Sequence, residues 1–229
     1  MSVGVAQPRC VVAVTGLDFE ARIAAGPGVR TIAGGGDPHR LTHALEREFA
    51  RGAAAVISFG IAGGLAAAAG PGTWLIADAV ITRALRWSVD AAWAMALANQ
   101  LPGAVRGDLA GSDAIIAEPG DKHALGQATG ALAVDTESHV VAAFAASRGI
   151  PFAVFRVIAD PSTRALAPAT SRGMRSDGTI DQRAVLGAVV RSPGQLPLLL
   201  QNAIDVRTAL RALSRGRRLL GPGLGYPDL

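Results

Sequence analysis

Three carboxylates and one guanidinium in this chain stand where they could act on a ligand. In AVDTESHVVAAFAASRGIPFAVFRVIADP, from Ala133 to Pro161, Glu137 enters a helix and Asp160 leaves a strand. Open α/β sheets bind ligands at the carboxyl ends of their strands, so both acids are placed for chemistry. Glu20 stands just past an earlier apolar run, CVVAVT, where Gly16-Leu17-Asp18-Phe19-Glu20 turns into a helix. Taken alone it is either a working acid or a carboxylate meeting the positive end of a helix. Arg156 lies four residues before Asp160, on the same face of an evenly spaced strand, and could order that carboxylate or groups near it. Carboxylates so placed do general acid–base work when a dry site raises their pKa.

Elements that would position these groups follow from pattern. His139 to Ser147 is an Ala-rich helix with Gly149 as its C-cap, and Phe152 to Ile158 is a strand apolar at every position but Arg156. Such a run belongs to a sheet covered on both faces. Further strands are expected at Arg9–Thr15, Ala53–Phe59, Trp74–Thr82 and Ala104–Leu109. Helices are expected from Asp37-Pro38, a good N-cap and N1 pair, to Arg51, and from about Val89 to Leu101. The three glycines before Asp37 suit either a phosphate or sugar cradle or a tight turn. GIAGGL, Gly60 to Leu65, reads as a loop that lets backbone N–H groups approach a ligand. The uncharged run from Gly52 to Ala77 could span a bilayer by length, but its six glycines and Pro71 favour two buried strands and a loop. His39 and His43 share a helix face without a third ligand of recognisable spacing, so no metal is expected. GPGLGYPDL lacks the preceding strand and following helix of a dinucleotide loop and reads as a loose tail.

Composition sets the class. At 229 residues and 50% hydrophobic, the chain suits one domain over residues 1–229. A single cysteine, Cys10, permits no internal disulfide, and no basic signal region opens the sequence; both fit the cytoplasm. Five arginines (207, 211, 215, 217, 218) and no acid fall between Val206 and Arg218, while the rest carries 17 basic against 18 acidic residues. The body is therefore not a nucleic-acid surface. A C-terminal helix of about 195–220 shows an apolar stripe at 196, 199, 203, 206, 210, 213 and 220, with arginines beside it. It can dock on the core, or lie peripherally on the inner membrane surface. The Ser-, Thr-, Arg- and Pro-rich segment of about 161–181 reads as a lid.

VDTES followed by GIPFAVFRVIAD resembles the nucleoside phosphorylase and nucleosidase superfamily, whose members carry an acidic-x-Glu ribose motif and a strand ending in a catalytic Asp. FGIAGGL, GGGDPHRL, GSDAII and the QLP-containing, Arg-rich helix together resemble the hopanoid-associated phosphorylases. The resemblance implies a three-layer α/β/α fold with a central mixed twisted sheet, and a homo-oligomer. It implies cleavage of the N-glycosidic bond of an adenosine with an apolar 5′-substituent, most directly adenosylhopane. Asp160 would share a proton with the base, Glu137 would hold the ribose hydroxyls beside Thr136, and Glu20 would deprotonate water. Ile116 and Ile115 would meet the adenine, with Gly63 and Arg156 completing the site. Ser58 and Ile61 replace an arginine and a serine that commonly hold phosphate in relatives, which favours water over phosphate as the co-substrate. Beyond phosphate no cofactor is implied. The alternatives are a soluble methylthioadenosine/adenosylhomocysteine nucleosidase and a non-catalytic lipid-surface module.

Overall fold

A computed structural model describes residues 10–167, 194 and 196–229. Among the described residues the elements run, in order, β1 (Cys10–Thr15), α1 (Asp18–Ala24), β2 (Val29–Ala33), α2 (Pro38–Ala50), β3 (Ala53–Gly64), β4 (Trp74–Ile81), β5 (Arg86–Ser88), α3 (Ala91–Gln100), β6 (Val105–Gly111), α4 (Pro119–Thr129), β7 (Ala133–Asp135), α5 (Ser138–Arg148), β8 (Phe152–Asp160) and α6 (Leu196–Leu220). Local chemistry sets several boundaries. The Asp37 carboxylate accepts from the N–H groups of His39 and Arg40 at the start of α2. Gly149 closes α5 in the left-handed conformation, at φ 62°.

The sheet runs β2-β1-β3-β7-β6-β4-β5, and β8 pairs with both β3 and β4. Strands β3, β8, β4, β6 and β7 therefore close on one another as a small mixed barrel, with β1 and β2 extending from β3 as a parallel flange. One apolar cluster joins Phe59, Phe155 and Val157 to Trp93 and Leu97 of α3 and Ala209 and Leu213 of α6. A second joins Val56, Val154 and Ile158 to Leu41 and Leu45 of α2 and Val141 and Phe144 of α5. Helices thus cover both faces, giving three layers.

Four differences from the sequence expectations bear on the site. GIAGGL is not a loop: β3 continues through it to Gly64, because β8 on one side and β7 on the other take up its backbone groups. Arg86 and Trp87, just ahead of α3, form a short edge strand that was not expected. Helix α4 was not expected at all. Finally, Ala62 pairs with Ile158 and Gly63 with Asp160, so Ala159 is an extra residue in β8. That bulge breaks the two-residue alternation, and Arg156 and Asp160 no longer share a face.

Helix α6 docks on the core. Its buried residues are Asn202, Asp205, Ala209, Ala212, Leu213, Gly216 and Leu220, a line rotated off the expected stripe. Gly216 permits the contact, since a Cβ there would lie 2.7 Å from the Phe155 ring. The Trp74 indole donates to the Ala212 carbonyl at 2.9 Å, and the Arg217 guanidinium donates to the carbonyls of Ala24 and Gly221. Among the described residues no helix is long and apolar enough to cross a membrane.

Candidate active site

The three acids singled out in the sequence meet at one cavity of about 360 Å³ at the strand ends, lined by Glu20, Glu137 and Asp160 together with Gly16, Gly63 and Thr136. Each is nearly inaccessible: Glu20 is 1% exposed, Glu137 3% and Asp160 5%. Glu20 reaches the cavity from α1. One carboxylate oxygen accepts the Leu17 N–H and the other the Ile61 N–H, both at 2.7 Å. Burial nevertheless outweighs these bonds and the nearby Arg156 charge, pushing its pKa up to about 7. Glu137 stands at the N-cap of α5, accepts the Thr136 hydroxyl at 2.6 Å, and is likewise raised, first by burial and then by the neighbouring Asp135.

Glycines make this convergence possible. A Cβ on Gly60 would sit 2.6 Å from a Glu20 oxygen and 2.7 Å from an Arg156 nitrogen. One on Gly34 would press the Glu137 side chain at 3.0 Å, and one on Gly16 would crowd both glutamates at 3.3–3.4 Å. Gly60 and Gly63 of GIAGGL thus admit side chains against the strand rather than forming the expected loop.

Of the two roles open to Arg156, ordering Asp160 or ordering groups near it, the structure shows contacts of the second kind. Arg156 is fully buried behind the cavity, ion-paired with Asp135 at 2.6 Å and donating to the Ser58 hydroxyl at 2.6 Å, the Ile61 carbonyl at 3.3 Å and Glu137 at 3.5 Å. It therefore orders the glutamate side of the site, not Asp160. Ser58, fully buried, also accepts from the Ser138 hydroxyl at 2.7 Å, so it belongs to this packed network and not to the cavity lining.

The cation facing Asp160 is one the sequence reading missed. Lys122 of α4 is fully buried and donates to the Asp160 carboxylate at 2.5 Å, to the Arg164 carbonyl at 2.7 Å and to the Pro161 carbonyl at 3.2 Å. All three ammonium protons are thereby used. Burial raises the Asp160 pKa, and Lys122 holds that rise back. The available signal was that Lys122 is the sole lysine of the chain, but α4 gave no apolar stripe to mark its face.

Ile115 and Ile116 reach the cavity from the GSDAII loop after β6. The lining also includes the apolar Phe19, Leu166, Leu199, Ala203 and Val206, with Asn202 among them. Leu199, Ala203 and Val206 come from α6, so part of the expected stripe lines the cavity, with Val206 also packed against the core. Of the expected lid, residues 161–167 are held in place. Arg164 pairs with Asp205, and Asn202 bonds both the Ala165 carbonyl and the Ala167 N–H. The remainder, 168–181, lies outside the described residues.

The sequence profile of the phosphorylase superfamily matches residues 32–191. No curated protein matches the chain. Among solved structures, it is similar to a Helicobacter pylori methylthioadenosine nucleosidase mutant with 5′-methylthioadenosine in its active site, at 15% identity and TM-score 0.62, over 81% of this chain and 100% of that one. The 5′-methylthioadenosine/S-adenosylhomocysteine nucleosidase of S. pneumoniae is similar at 14% identity and TM-score 0.61, over 92% and 99%. The futalosine hydrolase of Helicobacter pylori matches at 16% identity and TM-score 0.58, over 80% and 97%. At these identities the likeness is one of fold.

Proposed function

The chain belongs to the phosphorylase superfamily, and from that premise we propose that it hydrolyses the N-glycosidic bond of a 5′-substituted adenosine, releasing adenine. Water attacks C1′ of the ribose as the C1′–N9 bond breaks, and the bonding pair leaves with the base. Asp160 delivers a proton to adenine N7, and Glu20 takes a proton from the water. Glu137 accepts hydrogen bonds from the ribose 2′- and 3′-hydroxyls, which matter most as the ring becomes cationic. Ile115 and Ile116 give the base apolar contact, with Gly63 beside Asp160 letting it approach closely. Lys122 is a positioning residue: it fixes Asp160 and keeps an ammonium proton one hydrogen bond away from it.

The observation that carries water over phosphate is the charge of the cavity. Its lining includes Glu20, Asp135, Glu137 and Asp160 and, among the described residues, no arginine, lysine or histidine. Arg156 lies behind it, committed to Asp135, Glu137 and Ser58. A phosphate dianion entering there would meet carboxylates in a dry site, whereas water enters without charge. Of the arginines that could make up for the missing phosphate contacts, Arg22 donates to the Asp18 carbonyl and is not in the cavity lining, Arg164 is paired with Asp205, and Arg172 lies outside the described residues.

The apolar lining residues Phe19, Leu166, Leu199, Ala203 and Val206 support an apolar 5′-substituent, and adenosylhopane is the substrate we assign to them. The second reading, a methylthioadenosine/adenosylhomocysteine nucleosidase, is favoured by the fold shared with nucleosidases of that type. A series of adenosines with 5′-alkyl groups of increasing length separates the two. The adenosylhopane reading expects kcat/KM to rise with chain length. A maximum at the methylthio group would replace it with the second reading, and no adenine release from any member would overturn both.

A further inference from the structure

Three arcs divide α6. Ala209, Ala212, Leu213, Gly216 and Leu220 face the core, while Leu199, Asn202, Ala203 and Val206 line the cavity and buried Asp205 pairs with Arg164. The third arc faces outward. At 3.6 residues per turn, Leu196, Leu200, Ile204, Arg207, Arg211, Arg215 and Arg218 fall within about 100° of one another. Leu196 is 44% exposed, Leu200 64% and Ile204 59%, and all four arginines are exposed. Three large apolar side chains on successive turns cost free energy in water, and no acid lies on this arc to offset four guanidinium groups.

We propose that this outward face docks the protein onto an anionic lipid bilayer, with Leu196, Leu200 and Ile204 entering the headgroup boundary and Arg207, Arg211 and Arg218 resting on the headgroups. The order of the residues supports a lipid surface. The apolar end is the half of the helix whose adjacent arc walls the cavity, and the basic end runs away from it, where Arg215 lies 4.5 Å over the Trp74 ring. A two-fold contact between copies would bring the same face onto itself and leave its arginines without carboxylates to receive them. An anionic bilayer supplies both the negative charge and the apolar boundary that this pattern needs. The docking stands apart from the reaction proposed above. Only the corollary, that a membrane-borne nucleoside passes along this face to the cavity, rests on that reading.

The test is co-sedimentation of the full chain with vesicles of phosphatidylcholine alone or with added phosphatidylglycerol. Binding is expected only with phosphatidylglycerol at about 0.1 M salt, and release at about 1 M, where screening shortens from about 10 Å to about 3 Å. Arg207→Gln with Arg211→Gln should lower the partition coefficient about thirtyfold, about fivefold for each charge. Leu200→Ser with Ile204→Ser should lower it at least about tenfold. Both pairs should keep their activity on a water-soluble nucleoside, which shows that they fold. Absence of binding to anionic vesicles, or binding indifferent to both pairs, overturns the proposal. So does a wild-type dimer that Leu200→Ser with Ile204→Ser dissociates while vesicle binding is unchanged. Binding that behaves as expected in a protein inactive on every nucleoside would sustain the docking and sink the reaction.

Discussion

Replacing Glu20 by glutamine tests the proposed base through two independent readouts. With its pKa at about 7, Glu20 is half ionised at neutral pH, so kcat/KM should fall about tenfold per pH unit below that point. Glu20→Gln should lower kcat by about 10²–10⁴-fold and abolish that acid limb. Stability carries the second signal. Burial raises the carboxyl from 4.5 to about 7, so the folded chain holds a proton that the unfolded chain has released. The stability this group contributes is fully present below about pH 4.5 and is lost as pH rises through about 7, a change on the order of 3 kcal/mol. Glutamine does not titrate, but it offers one carbonyl oxygen to the two backbone donors, Leu17 and Ile61, that Glu20 now satisfies. The unpaired donor costs about 1–3 kcal/mol at every pH. The variant should therefore be less stable than wild type near about pH 5, and equal or more stable near about pH 8. Urea melts across that range, paired with adenine-release rates, measure both. Parallel stability curves, or an acid limb that survives in the variant, would refute the argument.

Asp160→Asn should cut turnover by about 10²–10⁴-fold while leaving the fold intact, and near-normal adenine release by the folded variant would remove Asp160 as the acid. Lys122→Met leaves Asp160 buried without its cation, so the carboxyl should rise further; stability should then fall as pH rises above about 4, and an unchanged pH profile of stability and rate would show that Lys122 only packs. Glu137→Gln should lower kcat more than it raises KM, and a 2′,3′-dideoxy substrate should add almost no penalty in that variant; losses that simply add would make Glu137 structural. Gly60→Ala sets a methyl group 2.6 Å from Glu20 and 2.7 Å from Arg156, so it should cost activity and about 1–3 kcal/mol of stability, both read against Gly70→Ala, whose Cβ meets nothing within 4 Å.

Much of the site was legible because strand ends are marked by composition. CVVAVT and FAVFRVIA are apolar runs that stop at polar residues, and the acids at those stops meet at one cavity. What was not legible depended on contacts between distant segments. The glycines of GIAGGL looked like a ligand-binding loop, but two neighbouring strands hold them in a strand, and Glu20 and Arg156 press against Gly60. The even spacing of Arg156 and Asp160 suggested a pair, and one extra residue, Ala159, undid it. Lys122 lies in PGDKHALGQAT, where proline, glycines and charges hide the helix, and only the fold brings it to Asp160. The apolar stripe of the C-terminal helix was found, but a stripe does not say whether it meets a core, a cavity or solvent, and here α6 uses a different arc for each.

The most direct test of the central claim is a progress curve of adenine release from a 5′-alkyl adenosine in phosphate-free, heavy-oxygen water, with the sugar product identified by mass. Hydrolysis at the carboxylate-lined cavity predicts a rate indifferent to added phosphate and a free sugar carrying the heavy oxygen at C1′. A rate that vanishes without phosphate, with a sugar 1-phosphate as product when phosphate is restored, would contradict it.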